Sequence, residues 1–419
     1  ICEQAGYRPC LRCRPELAPG NTPIEAVSNL VARAVNRIED GRLPDNSIET
    51  LALQLGVSSR HLRRVFESEL GVNPVQFIQT QRLLTAKRLL TDTAMPVTQV
   101  AMASGFSSVR RFNSLFAERY KLNPSSLRKK ASSKSSTPDN VVCQLAFRPP
   151  YDWDSMLTYL STRGSAGVEV VENGLYYRTV LIEEVSGWLS VGLNEKNCSL
   201  SVTMSASLTP KFIQVVARLK RLFDLQANPY VIEKVLGKLA LKNPGLRVPG
   251  AFDPFETAIR AILGVVISVK AASNLAGKVA AKYGGQITTP LPALNRQTPQ
   301  AEALANADEE DLRALGIMPL RAKTIILFAR EYLKGEIILT PGADYDATVR
   351  ALTAIPGVGQ WTADYIAMHC LAWPDAFMHG DLGIKKALGQ SRKKALLDLT
   401  EKYRPWRAYA TMHLWKSLE

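Results

Sequence analysis

The stretch from Leu352 to Lys385 constrains this chain more than any other. Ile355-Pro356-Gly357-Val358-Gly359 stands between two helical patterns and is followed, roughly two dozen residues on, by a single acid, Asp381. Val349, Leu352 and Thr353 fall at i, i+3 and i+4, and Trp361, Tyr365, Met368 and Ala372 keep a helical period beyond the turn, so two short helices flank a chain reversal. Glycines at 357 and 359 permit positive φ and a close approach to a phosphate, while the first free N–H groups of the second helix supply donors and partial positive charge. Gly357, Val358 and Gly359 are therefore the candidates for gripping a DNA backbone, a contact that holds the duplex without reading its sequence. Taken alone, Pro-Gly-x-Gly is equally an ordinary helix-to-helix turn.

The segment resembles the helix-hairpin-helix superfamily of base-excision DNA glycosylases, which places a catalytic aspartate where this chain has Asp381. In the bifunctional members a lysine two residues after the last hairpin glycine forms a Schiff base with the sugar; here that position is Trp361, so the resemblance implies a monofunctional enzyme using water. Some relatives carry a four-cysteine iron–sulfur site after the motif. No cysteine follows Cys370, and no cluster is expected.

At 419 residues the chain is too long for one ordinary core and should form two to four domains. No apolar run approaches the ~20 residues of a membrane span and no signal-peptide pattern opens the sequence, so a soluble, cytoplasmic, nucleoid-associated protein with no membrane partner is expected. The net charge is +14, with 20 Lys and Arg against 12 Asp and Glu through residue 140 and 32 against 26 thereafter. Both parts are basic, which suits a polyanionic partner.

Four segments follow from composition: a Pro- and Arg-rich stretch over 1–22, a helical region over 23–130, a Ser- and Lys-rich linker over 131–141, and a long region from 142. The helical region repeats itself. Gly56-Val57-Ser58-Ser59 recurs as Gly105-Phe106-Ser107-Ser108, and each copy introduces a basic helix after a short apolar one. Ile48, Leu51, Ala52 and Leu55 line the first helix, Ser58 caps the next, and Leu62, Val65 and Phe66 form its inner stripe; in the second copy Ser107 is the expected cap and Phe112, Leu115 and Phe116 pack inward. The outward residues, Ser59, Arg60, Arg63 and Arg64 in one copy and Ser108, Arg110, Arg111 and Asn113 in the other, are types that reach phosphates and guanine edges. Either copy alone could be a helical hairpin with a solvated basic face. Together, with a long linking helix around Gln81 to Leu90 and a closing Asn123-Pro124, they resemble the AraC-type DNA-binding domain, which implies promoter DNA and RNA polymerase as partners.

Ala5-Gly6-Tyr7-Arg8-Pro9-Cys10-Leu11-Arg12-Cys13 resembles the second half of the zinc-binding, methyl-accepting domain of Ada-type regulators. Cys10 and Cys13 match two zinc ligands, half of a tetrahedral site. The other two are expected upstream of Ile1, in sequence preceding this chain, and Cys2 is read as an ordinary residue. Methyl transfer is not expected from this sequence. Cys143, Cys198 and Cys370 are isolated and read as structural thiols.

The last region resembles AlkA-type alkylpurine glycosylases from about residue 145 to the end, on Phe147-Arg148-Pro149-Pro150-Tyr151-Asp152-Trp153, Arg221-Leu222-Phe223-Asp224-Leu225 and Pro249-Gly250-Ala251-Phe252-Asp253. Alternation over Tyr176 to Leu208 predicts a small antiparallel sheet within 142–252. Helical spacing over Ala258 to Lys282, Glu309 to Leu315, Arg321 to Leu333 and Trp406 to Trp415 predicts a helical domain over 253–419. The expected fold is mainly α and multidomain: a double helix-turn-helix, then an α+β helix-hairpin-helix glycosylase.

The resemblance implies that Trp361, Tyr365, Trp415 and Tyr159 line a pocket for a flipped, cationic alkylpurine of the 3-methyladenine or 7-methylguanine kind. Asp381 would stabilise the oxocarbenium-like sugar and orient water while also capping the helix over Leu382 to Leu388. No cofactor is expected for this step. Val266 matches the family's intercalating wedge but is shorter, Gly380 replaces an acid before Asp381, and Lys416 replaces an aromatic beside Trp415. Duplex DNA carrying alkylated bases is the implied substrate. A transcription activator whose glycosylase region only binds damage, without catalysis, remains the alternative.

Overall fold

The computed structural model describes residues 29–39, 41, 47–93, 95–130, 140–341 and 343–418. Cys2, Cys10, Cys13 and residues 131–139 of the expected linker lie outside the described residues. The chain divides into two compact units, one running through Phe147 and including Ile182–Arg218, the other formed by Arg148–Leu181 and Leu219–Glu419. This division crosses the segment boundaries read from the sequence. Strand β1 (Asn140–Ala146), which starts inside the expected linker, pairs antiparallel along its whole length with β5 (Ser199–Ser205) and so joins that later strand to the segment before it.

Among the described residues the first unit has seven helices before its strands: α1 (Asn29–Glu39), α2 (Ile48–Gln54), α3 (Ser59–Leu70), α4 (Pro74–Asp92), α5 (Val97–Ala103), α6 (Val109–Tyr120) and α7 (Pro124–Lys130). Both expected turn units form. Gly56 and Gly105 take φ of 71° and 81°, which lets α2 and α5 end abruptly. The Ser58 hydroxyl accepts the His61 N–H at 3.2 Å and caps α3. In the second copy the cap is Ser108, which accepts the Arg111 N–H, and not Ser107. That helix starts one residue later because Ser108, not Ser107, aims its oxygen at the first free amides. Leu51, Leu62, Phe66 and Ile78 close the first core, and in the second Phe106, Phe112, Phe116 and Tyr120 form a run of ring contacts 4.6–5.4 Å apart.

Five strands make one antiparallel sheet in the order β1-β5-β4-β3-β2, with β2 at Glu169–Glu172, β3 at Leu175–Ile182 and β4 at Val185–Asn194. The alternation over 176–208 correctly marked three of them. Helix α8 (Trp153–Arg163) precedes the β2–β3 hairpin, and α9 (Phe212–Leu222) and α10 (Pro229–Leu236) follow the sheet.

The second unit is otherwise helical: α11 (Pro254–Leu263), α12 (Val269–Tyr283), α13 (Ala301–Ala305), α14 (Glu309–Ala314), α15 (Pro319–Lys334), α16 (Tyr345–Thr353), α17 (Gln360–Cys370), α18 (Leu382–Leu388), α19 (Lys393–Thr400) and α20 (Arg407–Lys416). The single helix expected over 258–282 is broken at 264–268, where the chain turns and Ser268 caps α12. Periodicity could not see the break, since apolar residues continue through it. Helix α11 is almost wholly buried against α15 and α17.

A buried ion network ties the β2–β3 hairpin to α11. Arg178 donates to Glu256 at 2.9 Å and to Glu169 at 3.2 Å, and Arg260 donates to Glu169 at 2.6 Å. Burial works against the Arg260 charge, but Glu169 and Glu256 outweigh it and hold the guanidinium's pKa above its usual value. Removing one partner of such a set typically costs about 3–5 kcal/mol, because the remaining charge is stranded. The network therefore fixes the β2–β3 hairpin on α11, and Arg260 also donates to the Arg163 carbonyl at the end of α8 at 3.3 Å, so that α8 and α11, which both contribute to the site below, are tied together.

Candidate active site

Asp381 caps α18, as the sequence suggested, and does more than cap. Its Oδ1 accepts the Ile384 N–H and the Trp415 Nε1–H, both at 2.9 Å, and its Oδ2 accepts the Trp361 Nε1–H at 3.0 Å. Three donors pin the carboxylate's rotamer and leave one acceptor position of Oδ2 unused by the protein. The close fit needs a small neighbour: a Cβ on Gly383 would sit 3.0 Å from Asp381 Oδ1 and 3.2 Å from Trp415 Cδ1.

The carboxylate opens on a cleft of about 750 Å³. Trp361, Tyr365, Trp415 and Tyr159, the four aromatics singled out in the sequence, all line it, as does Val266. Trp361, Tyr365 and His369 occupy i, i+4 and i+8 of α17, so one helix face carries them. Trp361 stacks on Tyr365 with centroids 5.3 Å apart and planes 20° apart, and Trp415 lies 6.5 Å from Tyr365. The Arg163 guanidinium lies 4.2 Å over the Tyr159 ring. An electron-rich aromatic wall beside a carboxylate attracts a flat cation.

The hairpin lies at the other end of α17. Gly357 takes φ 91°, and a Cβ there would collide with Thr324 Oγ1, which donates to the Pro356 carbonyl at 2.7 Å. Gly359 is the N-cap residue of α17 and offers no side chain to its first amides. Those amides are available to an anion. Val358 is a partial correction to the proposed grip: its side chain is buried in the core, leaving only its backbone for such a contact. Only Gly359 of the three hairpin candidates also borders the cleft.

Val266 sits in the break between α11 and α12 with φ 58°, a conformation β-branched residues seldom adopt, and its side chain is 95% exposed. Arg321 donates to the Val265 carbonyl beneath it and holds the loop. Leu382, 80% exposed and next to Asp381, is a second apolar side chain at the cleft's mouth. It was not foreseen.

Other residues escaped the sequence reading. Arg163, Arg260 and His369 border the cleft, and Asp364, buried under the hairpin, accepts Tyr345 Oη–H at 2.6 Å and Gln360 Nε2–H at 2.9 Å. Burial raises the Asp364 pKa. His369 could have been found from its helical spacing to Trp361 and Tyr365. Arg260 carries no such signal, since its place depends on partners 91 positions away.

The eight residues proposed to read an operator lie on or at the start of α3 and α6. Arg60, Arg110, Arg111 and Asn113 are exposed; Arg63 is exposed but paired with Glu49 at 2.9 Å, and Arg64 contacts His61 at 3.1 Å. Ser59 is half-buried, and Ser108 is engaged as a cap. Among the described residues no group of three or more His, Cys, Asp or Glu side chains is placed to hold a metal ion, and no helix is long and apolar enough to cross a membrane.

Comparison with known proteins agrees with this layout. Residues 51–130 match a helix-turn-helix domain family, residues 142–253 the AlkA N-terminal domain, and residues 259–394 the HhH-GPD superfamily of base excision DNA repair proteins. A probable bifunctional transcriptional activator/DNA repair enzyme AlkA of Mycobacterium tuberculosis (strain H37Rv) is 34% identical over 99% of this chain and 85% of its own length. DNA-3-methyladenine glycosylase 2 of Escherichia coli (strain K12) is 36% identical over 65% of this chain and 95% of its own. Among solved structures, a 3-methyladenine DNA-glycosylase from Archaeoglobus fulgidus superposes with a TM-score of 0.56 over 65% of this chain and 97% of its own; at 19% identity it speaks for the fold alone.

Proposed function

The chain belongs to the family of AlkA-type bifunctional transcriptional activators and DNA repair enzymes, and from that premise we propose that Asp381 and the aromatic cleft carry out its glycosylase reaction. It is a DNA glycosylase of the 3-methyladenine type joined to an AraC-type helix-turn-helix regulator. One observation carries the site assignment: a carboxylate held by three N–H donors faces a cavity walled by Trp361, Tyr365 and Trp415.

In this reading an alkylated purine is turned out of the duplex and lies against the aromatic wall while Val266 occupies the gap it leaves. The positive charge on the base weakens its bond to C1′. As that bond breaks, its electron pair leaves with the base, which departs neutral, so no general acid is required. Asp381 stabilises the cationic sugar across the cleft, and a water oxygen then bonds to C1′ as its proton passes to the carboxylate. Trp361 has no amine with which to attack the sugar, which supports hydrolysis without strand cleavage. Release of 3-methyladenine or 7-methylguanine from methylated duplex DNA tests the assignment. Asp381→Asn removes the charge and turns an amide N–H toward an indole N–H, so release should fall by at least about 100-fold. Equal release by both proteins would remove Asp381 from the mechanism and favour the non-catalytic reading.

For the remaining segments, the exposed arginines of α3 and α6 support binding of promoter DNA, with RNA polymerase as the partner such an activator requires. Cys10-Leu11-Arg12-Cys13 supports an Ada-type zinc half-site, which two further thiolates would complete. The glycosylase step calls for no cofactor, and the DNA-bound functions place the protein with the cell's DNA.

A further inference from the structure

The direction of the Tyr365 hydroxyl proton is decided by its neighbours Tyr159 and His369. Tyr365 Oη lies 2.8 Å from Tyr159 Oη, and Tyr159 Oη lies 3.2 Å from His369 Nε2. On the far side, His369 Nδ1 is 2.5 Å from the Pro249 carbonyl oxygen. A carbonyl only accepts, so Nδ1 carries a proton and donates it. His369 is 2% exposed, and burial, reinforced by the Arg163 and Arg260 charges and only partly offset by the bond to Pro249, pushes its pKa down to about 3. The ring is therefore neutral, and its Nε2 is bare and can only accept. Tyr159 must donate to His369, which leaves the Tyr159 oxygen to receive the proton of Tyr365. The chain of bonds runs one way, from Tyr365 through Tyr159 and His369 to Pro249.

We propose that His369 is a positioning residue for base selection: through Tyr159 it holds the Tyr365 hydroxyl proton on the Tyr159 oxygen, so that a base bound against Tyr365 meets only oxygen lone pairs there. Such an oxygen attracts the ring charge and amino hydrogens of a cationic alkylpurine and repels the acceptors of a neutral lesion. Two cations also border the cleft. Arg260 is spoken for by Glu169 and Glu256, and Arg163 lies over the Tyr159 ring. A cationic base against that background needs opposing negative groups, which Asp381 and the Tyr365 oxygen supply. The inference deepens the glycosylase reading above and rests on it.

The test compares kcat/KM for release of 7-methylguanine, a cationic lesion, with that for hypoxanthine, a neutral one, from otherwise identical duplexes. The full chain is used as wild type, His369→Gln, His369→Leu and Tyr159→Phe. His369→Leu removes the acceptor and Tyr159→Phe removes the link, so each should lower the cationic-to-neutral ratio about tenfold. Glutamine keeps an acceptor toward Tyr159 and should preserve the ratio. An unchanged ratio in both His369→Leu and Tyr159→Phe would overturn the inference, as would a glutamine variant that loses it as fully as leucine. Should the leucine variant fail to fold, Tyr159→Phe decides alone. A wild-type protein that releases neither base would instead overturn the glycosylase reading, and the inference with it.

Discussion

Gly357 shows how much of the hairpin rests on one residue. Its φ of 91° and the absence of room beside Thr324 both demand glycine, and the Thr324 hydroxyl ties the turn to α15 through the Pro356 carbonyl. Gly357→Ala would have to enter a left-handed conformation and displace Thr324 together. A stability loss of about 1–3 kcal/mol is expected in urea unfolding, with weaker retention of duplex DNA at fixed salt. Asp381 is held in a different manner: its three hydrogen bonds come from α17, α18 and α20, so its direction is set by three helices at once.

At the scale of elements, α17 and the loop before α12 do most to join binding to chemistry. Helix α17 begins at the hairpin, where its first amides have no side-chain cap, and carries Trp361, Tyr365 and His369 down one side into the cleft. Under the proposed roles, a shift in how the hairpin sits on DNA would be passed to the aromatic wall of the cleft. The 264–268 loop holds Val266 outward in a strained conformation, anchored by Arg321. Strain at an exposed residue that makes few contacts points to function. Val266→Gly relieves the backbone and deletes the wedge, so it should unfold at no lower urea concentration than wild type while releasing bases from duplex DNA more slowly. A variant as active as wild type would show that Val266 does not fill the stack.

Over the whole molecule, buried titratable groups set how the repair unit responds to acid. His369 and His413, both buried, have pKa values pushed down by burial from 6.5 to about 3 and about 4. Both are neutral when folded and take protons when unfolded, so the stability they permit is complete above pH 6.5 and is lost as the pH falls toward their folded values. Asp224, which accepts the Tyr409 hydroxyl at 2.7 Å, is shifted by burial from 3.8 up to about 6. Its contribution runs the other way, since the folded state takes the proton first between those values. Asp364, also raised by burial, acts with Asp224, and His379, lowered by burial, acts with the other histidines. With the large shifts of His369 and His413 the histidines leave a net loss, so the urea midpoint should drop between pH 6.5 and 4, and Asp224→Asn, which removes one opposing group, should steepen the drop.

Much of this was legible in one dimension. The glycine positions at 56, 105 and 357, the 49-residue repeat and the run from Gly357 to Asp381 are local, and local backbone rules turn them into two helix-turn-helix units, a hairpin and a capped helix. The aromatic residues of the cleft were found through the family resemblance and the spacing along α17. What the sequence could not order was proximity across long separations. Asp381 meets Trp361 and Trp415 from 20 and 34 positions away, and Tyr159 meets Tyr365 and His369 from more than 200. The break at 264–268 was hidden from hydrophobic periodicity, which reports burial and not where a helix stops; only the family's wedge position at Val266 marked its place. The sequence by itself determined which chemistry the chain is equipped for, since residue types and local turns follow from it directly. Only the tertiary structure decided which way the protons of that cleft point, because a hydrogen-bond direction depends on the last acceptor in the line, here the Pro249 carbonyl, 120 positions from His369 along the chain.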